Sequence, residues 1–439
     1  MRWFHASATH VFEKAYGTNA LEHLKTALMS DQLEAKELEQ LQLRKLRVLL
    51  RTAWERSRFY HDRMRQAGVR PDEIKNLGDL QKIPTVRKSD LRLALEQGRL
   101  LTQPKSKLVK EQTGGSTGTP FVYYHTKHDL GYSMACLMRA WQWSGWRLGD
   151  SRITLWGRHL NLPLIWKVKA LKDRLIGLTF LEADRLSDAN AARYLRVIDH
   201  VKPAILDGYV SSLVELSRIG RARGIDVQSP GAVYTTSETL LPHERILLSN
   251  YFRTEVFDQY GSSEVLSLAF ECPTHSGLHV AADHVVLEVG EEDQVVVTDL
   301  DNYAMPIIRY ENGDAAQLEK EQCKCGRASP LLRQVMGRRS ELVRGTNGNR
   351  VYGEFFTHIL SDYGWIERYA VRQFQVVQER IDLIRLRMVV DRKPMLEDEQ
   401  VLQGIIRKFL GNLQVQFEYP RAIQKNPAGK RQAVISHLR

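Results

Sequence analysis

Only four of the 439 residues are cysteine: Cys136, Cys272, Cys323 and Cys325. In a reducing cytoplasm, short cysteine pairs signal a metal more often than a disulfide. No uninterrupted apolar run approaches the roughly 20 residues that a bilayer-spanning helix needs. The most apolar stretch, residues 160–181, is broken by Lys167, Lys169, Lys172, Asp173 and Arg174. This excludes a transmembrane segment. Residues 1–17 contain no continuous apolar segment followed by a small-residue cleavage site, so the sequence predicts no secretory signal and a cytoplasmic location. Helix-turn-helix spacing, zinc-finger spacing and the ribonucleoprotein aromatic signature are all missing, and no internal repeat or low-complexity tract is evident. The net charge of +11 is scattered along the chain. It therefore reads as a solvated basic surface, with attraction of small anions as a secondary role and no nucleic-acid partner.

What is present is ordinary in bulk and unusual in four places. Hydrophobic residues at 43% and charged residues at 26% describe a soluble globular protein, and 439 residues imply two or more domains. Residues 112–121 read QTGGSTGTPF, three glycines interleaved with four hydroxyl residues. Glycine lets backbone N–H groups approach phosphate oxygens, and hydroxyls add donors, so the loop suits a triphosphate. It lacks the Gly-Lys-Ser/Thr ending of a Walker loop. Downstream come QYGSSE at 259–264, TDLDNYAMPIIRYENGD at 298–314 and NPAGKR at 426–431.

In this order the four segments resemble the core motifs of adenylate-forming ligases, the superfamily of acyl-CoA synthetases and peptide-synthetase adenylation domains. The nearest likeness is to the phenylacetate–CoA ligase branch and its capsule-biosynthesis relatives. The resemblance implies an α/β fold: a large multi-sheet N-terminal adenylating domain with a small mobile α+β C-terminal domain. It implies ATP-dependent activation of a small carboxylic acid to an acyl-adenylate, then transfer to CoA. Among the capsule relatives the alternative acceptor is an amine or a sugar.

Carried over residue by residue, Thr113, Gly114, Gly115, Ser116, Thr117 and Gly118 would cradle the departing phosphates. Tyr260 and Gly261 would lie against the adenine, with Ser237 and Glu238 on a neighbouring loop. Glu264 would hold Mg2+, whose hardness suits carboxylate and phosphate oxygens. Asp314 would grip the ribose hydroxyls, and Arg338 would reach the nucleotide. Glu311 and Asn312 depart from the family's RYRTG. Arg339-Ser340-Glu341 replace the usual acidic pair at the hinge. Lys430 would bridge the attacking carboxylate and the α-phosphate. Related ligases carry a C…H…C-x-C pattern, which here gives Cys272, His275, Cys323 and Cys325 as a structural Zn2+ site, with His279 and His284 as alternative ligands. Tyr132, Trp141, Trp143, Trp156, Tyr209 and Tyr234 are candidates to line the acid pocket, and a homodimer is left open.

Periodicity supplies the scaffold. Leu43, Leu46, Leu50 and Trp54 form one helical stripe, predicting an amphipathic helix closed by Gly68. Strand-like runs at 152–156, 204–209, 232–236 and 255–259 alternate with helical patterns at 189–201, 212–223 and 243–252, which predicts parallel strands covered by helices. Strand-rich sequence follows at 284–310. Strands at 371–378, 384–390 and 414–419 with a helix at 397–410 form a small α+β unit. The resulting division is a helical segment at 1–70, a large domain at 71–338 and a small domain at 339–439.

Overall fold

The computed structural model describes residues 1–112, 121–157, 172–338, 342–424 and 433–438. The glycine-rich loop at 113–120, the 339–341 segment and Lys430 therefore lie outside the described residues.

Eleven strands form one sheet with two characters. Its parallel half runs β4 (Leu178–Glu182), β3 (Arg152–Trp156), β5 (Ile205–Tyr209), β6 (Ala232–Thr236) and β7 (Val256–Tyr260). The cause is visible in the strand sequences. Every residue of β5 and of β6 is buried, as expected for strands covered on both faces. Alternate side chains go to opposite layers. Leu206, Val233 and Val256 join the core made with helices Asp188–Val201, Val210–Ala222 and Pro242–Phe252. Ile205, Ala232, Tyr234 and Phe257 pack instead against helices α2 (Ala20–Ser30) and α6 (Lys127–Trp143), which follow α1 (Arg2–Tyr16) in the fold.

At β7 the sheet changes hand of pairing. Its first residues pair parallel with β6, whereas Gln259 and Tyr260 pair antiparallel with β8 (Ala269–Glu271). The antiparallel half continues through β9 (Leu278–Val280), β13 (Leu331–Arg338), β12 (Tyr310–Leu318), β11 (Gln294–Asp299) and β10 (Val285–Val289). Helices α3 (Ala35–Arg56), α4 (Arg58–Gln66) and α5 (Lys88–Glu96) cover it. The stripe expected between Leu43 and Trp54 does face this core, with Leu46 and Leu50 fully buried. The single helix expected up to Gly68 is two helices: Ser57 is extended (φ −108°, ψ 109°) and its N–H closes on Ala53 O. A short ribbon of β1 (Val109–Gln112) and β2 (Val122–His125) brackets the glycine-rich loop.

The last described part of the chain has its own sheet and core. It opens on a small ribbon, β14 (Val343–Arg344) with β15 (Arg350–Val351). Strands β16 (Gln373–Arg380), β17 (Leu383–Val389), β18 (Gln414–Glu418) and β19 (Val434–Ser436) lie in the order β18-β17-β16-β19. Helices Gly353–Asp362 and Leu396–Leu410 pack on them through Phe356, Leu360, Leu402, Ile406 and Leu410. This is a separate α+β unit.

Candidate active site

Ligands in open α/β sheets bind beyond the C-terminal ends of parallel strands, where the strand order or direction changes. Here β7 is that strand, and Tyr260 is its last residue. Gly261 follows because the chain turns back on itself: a Cβ there would sit 1.9 Å from the Leu266 carbonyl oxygen.

Tyr260 is the centre of a polar network. Its hydroxyl donates to Asp314 Oδ2 at 2.8 Å and accepts from Asn312 Nδ2 at 2.7 Å. Asn312 Nδ2 also donates to Asp314 Oδ2 at 3.0 Å, and Asp314 N donates to Asn312 Oδ1 at 3.0 Å. Arg338 Nε lies 3.0 Å from Asp314 Oδ1. Burial, then the Asp314 charge, pushes the Tyr260 phenol well above its usual range, so the hydroxyl remains a donor. Three distant motifs thus meet at one carboxylate: the turn after β7, the start of β12 and the end of β13.

Glu264 belongs to the same cluster. It is buried, with Lys88 Nζ at 2.7 Å and the Tyr310 hydroxyl donating to Oε1 at 3.3 Å. Tyr310 starts the strand that carries Asn312 and Asp314, which couples the two carboxylates mechanically. Lys88 was not singled out by sequence. Helix α5 begins at Lys88 itself, with Arg87 as its cap and Asp90 Oδ2 accepting from Arg87 N at 2.9 Å. Lys88 Nζ also stands 5.8 Å from the Phe121 ring, beside the exit of the glycine-rich loop.

The departures from RYRTG have structural work. Glu311 accepts from Thr85 Oγ1 at 2.6 Å and from Arg87 Nε at 3.0 Å, tying β12 to the segment before α5. Asn312 supplies an amide that serves both Tyr260 and Asp314.

Ser237 adopts a left-handed backbone (φ 69°), uncommon for a residue with a side chain. Glu238 accepts from Ser211 N at 2.6 Å and Ser211 Oγ at 3.0 Å, at the N-terminus of helix Val210–Ala222. A carboxylate there is favoured by the helix dipole.

Beside this loop lies a cavity of about 270 Å³, lined by Thr239, Leu240, Asp258, Arg245 and Val335 among others. Asp258 Oδ1 accepts from Thr235 Oγ1 at 2.9 Å and from Gln259 N at 3.0 Å. Burial, then the neighbouring Glu271 charge, pushes its carboxyl up to about 7. The raised value means the native state holds a proton that the unfolded chain releases near the ordinary carboxylate range. Stability contributed by this group is therefore full below pH ~4 and is lost as pH rises towards 7. Because Asp258 faces an open cavity, water screens it, and a loss of about 1–2 kcal/mol is expected rather than the full linkage value. Urea titrations of the wild type and Asp258→Asn from pH 5 to 8 check this: the variant, which keeps an acceptor, gains relative stability as pH rises.

Of the aromatics considered for an acid pocket, Tyr132, Trp141 and Tyr234 are core residues. The Tyr234 hydroxyl donates to Ala140 O at 2.8 Å, and the Tyr132 hydroxyl donates to Asp283 at 3.0 Å. Trp143 faces Asp31, with Nε1 donating at 2.7 Å. Tyr209 is a core residue too, and Trp156 is half-buried against it. They end β3 and β5, on the same edge of the sheet as Tyr260, with ring centroids 4.5 Å apart.

The cysteines are brought together with one correction. Cys272, Cys323, Cys325 and His279 offer ligand atoms that all lie within 4.8 Å of one another. His275 is not among them. It sits in a left-handed turn (φ 49°) with Nδ1 3.3 Å from Glu271 Oε1, because the chain reverses there before β9 begins. His279, on β9, presents Nε2 at 3.2 Å from Cys325 Sγ and Nδ1 at 2.9 Å from Ser329 Oγ. His284, the other alternative, belongs to a separate buried group with Asp299 and Asp301. Cys272 Sγ and Cys323 Sγ are 3.7 Å apart, close to the edge of about 3.8 Å in a tetrahedron of 2.3 Å zinc–sulfur bonds. Burial, then Arg327, holds the His279 imidazole down at about 4, so it is neutral and able to ligate at physiological pH. The residues fit zinc.

Comparison with known proteins gives this geometry its context. Residues 343–437 match the CapK C-terminal domain. Protein CapK of Staphylococcus aureus is 23% identical over 418 residues, covering 92% of this chain and 91% of the relative. The phenylacetate-coenzyme A ligase of Thermus thermophilus is 28% identical over 337 residues, covering 72% and 74%. A 2-hydroxyisobutyryl-CoA ligase in the postadenylation state, in complex with R3-HIB-AMP, superposes with a TM-score of 0.74 at 19% identity, covering 93% and 91%. The same ligase in its thioesterification state gives 0.61. The fold is that of the adenylate-forming CoA ligases. In sequence the chain is similar to the phenylacetate-coenzyme A ligases and to CapK.

Proposed function

We propose that this protein is an AMP-forming acid ligase: it condenses a carboxylic acid with ATP to an acyl-adenylate, releases pyrophosphate, and passes the acyl group to CoA. The observation that carries the reading is the convergence of Tyr260, Asn312, Asp314 and Arg338 around one carboxylate, next to the buried Glu264–Lys88 pair. Both reactants are anions, so the site must hold repelling groups together and meet the charge that builds at phosphorus.

In this reading Asp314 receives the ribose hydroxyls, with Arg338 beside the phosphates. Tyr260 covers the adenine, which takes the cavity bordered by Thr239, Asp258 and Val335 next to Ser237 and Glu238. The glycine-rich loop (Thr113, Gly114, Gly115, Ser116, Thr117, Gly118) receives the departing phosphates. Trp156 and Tyr209 flank the acid. Glu264 would hold Mg2+, whose positive charge would neutralise phosphate oxygens when bound; Lys88 supplies a second cation from the protein itself. Lys430 comes from the C-terminal unit, taken as 339–439, which would rotate between the half-reactions. The arrangement described is more like the postadenylation state of 2-hydroxyisobutyryl-CoA ligase (TM-score 0.74) than its thioesterification state (0.61). The protein would work in a reducing cytoplasm, where the Cys272, His279, Cys323 and Cys325 set would hold one structural zinc.

That zinc has a direct check. Protein purified without chelator is expected to carry about one zinc per chain by elemental analysis. Cys323→Ser is expected to lose it, with destabilisation on the order of 4 kcal/mol in denaturant titration.

A second reading concerns the acceptor. The CapK relative matches 92% of this chain, against 72% for the phenylacetate-coenzyme A ligase, and the matched C-terminal family is that of CapK. An amine or sugar acceptor in surface-polysaccharide assembly accounts for that bias. A pyrophosphate-release screen over aryl, aryl-acetic, fatty and amino acids tests the first step. Supplying the responsive acid with CoA or with amino sugars then separates the acceptors by product mass. No release with any acid would reject the ligase reading.

A further inference from the structure

We infer that helix α1 docks this protein onto an anionic lipid surface, lying on the bilayer rather than crossing it.

Five large apolar side chains are exposed within the first sixteen residues: Met1, Trp3 (81% exposed), Phe4 (59%), Val11 (67%) and Tyr16. No other stretch of the described residues concentrates them so. On a helical wheel Trp3, Phe4, Ser7, His10, Val11, Lys14 and Ala15 fall within an arc of roughly 140°. All seven are exposed. The opposite face carries His5, Ala6, Ala8, Thr9, Phe12 and Glu13, which are half-buried against the body. Contact there is close, since a Cβ on Gly149 would meet Arg2 O at 2.2 Å and one on Gly177 would meet His5 Nδ1 at 2.7 Å. The seat is therefore built, yet α1 has no buried residue. A 15-residue helix is marginal by itself in water, and its outward face is left without a partner in this chain.

Charge selects the partner. The only acid of α1 is Glu13, and it is turned inward, accepting from Thr18 Oγ1 at 2.6 Å and from Ala20 N at 2.5 Å. The exposed face carries His10 and Lys14 and no acid. Lys127 and Lys172 stand at its C-terminal end, with ammonium groups 5.2 and 5.5 Å from the Tyr16 ring. A strip holding Trp3, Val11 and Phe4, interrupted by Ser7 and by the long, snorkelling side chain of Lys14, is the composition of a helix that lies in a headgroup layer. Uniformly acid-free surface opposes self-association through like charge and favours anionic phospholipid. Among the described residues no helix is long and apolar enough to cross a membrane. Surface attachment is what remains for this face.

Flotation with vesicles of phosphatidylglycerol and phosphatidylcholine, against phosphatidylcholine alone, reads this without any substrate. It therefore stands or falls separately from the ligase reading. The intact chain is expected to bind the anionic vesicles and to release at high salt, where the Debye length shrinks. Trp3→Glu with Phe4→Glu should cut binding at least tenfold. Lys14→Gln should cut it about fivefold. All these variants should keep the far-UV circular dichroism and the exchange activity of the parent. Equal binding to neutral vesicles, no binding to either, or a homodimer by light scattering that Trp3→Glu with Phe4→Glu dissolves would each overturn the proposal, the last by making this face an interface between copies.

Discussion

Asp314→Ala is expected to lower acid-dependent ATP–pyrophosphate exchange by about a hundredfold and to weaken the fold at the same time. The carboxylate accepts from Tyr260, Asn312 and the Arg338 guanidinium. Removing it strands two buried donors, each costing about 1–3 kcal/mol, besides any grip on the ribose. Asp314→Asn separates these effects. It preserves shape and most hydrogen bonds, so its melting temperature should stay near the parent's. Its exchange rate should still fall by at least tenfold, because a neutral amide holds neither Arg338 nor two ribose hydroxyls as a carboxylate does. An Asn variant with full exchange would remove Asp314 from the nucleotide site.

The largest single loss is expected from Lys430→Ala: about a thousandfold in adenylation, with no change in melting temperature. Two anions approach at the α-phosphate, and one well-placed donor at such a centre contributes about a hundredfold to a thousandfold in rate. A compact ammonium on a flexible stem can bridge both, whereas a planar guanidinium cannot take the same position, so Lys430→Arg should not rescue. Transfer from a supplied acyl-adenylate to the acceptor should survive, since that step has no phosphate to neutralise on approach. Loss of both half-reactions together would point to a folding defect or a different role.

Much of this architecture was legible because strand and helix periods are local. The fully buried runs of β5 and β6 read as parallel strands, and the Leu46–Leu50 stripe read as a core-facing helix. The motif turn at Tyr260 and the carboxylate at Asp314 were legible for a different reason. Their chemistry is compressed into a few consecutive residues, and the structure joins the two through Tyr260 and Asn312.

What escaped the sequence is what depends on distant pairing. Lys88 meets Glu264 only because α5 packs against the strand bearing Tyr310, and nothing near Lys88 in sequence marks that contact. His275 and His279 are four residues apart, and spacing alone gave no way to choose between them. A left-handed turn points one at Glu271, and a strand register points the other at Cys325. The exposed face of α1 leaves little trace in the sequence, because its apolar residues are too few for a span and are spread at helical spacing.

The most direct test is the identity of the nucleotide products when purified protein, ATP and a responsive carboxylic acid are incubated without acceptor. The account predicts AMP-type chemistry: pyrophosphate appears only with the acid present, an enzyme-bound acyl-adenylate is recovered by mass spectrometry, and labelled pyrophosphate exchanges back into ATP. Formation of ADP and inorganic phosphate, or ATP binding with no exchange for any acid, would contradict it.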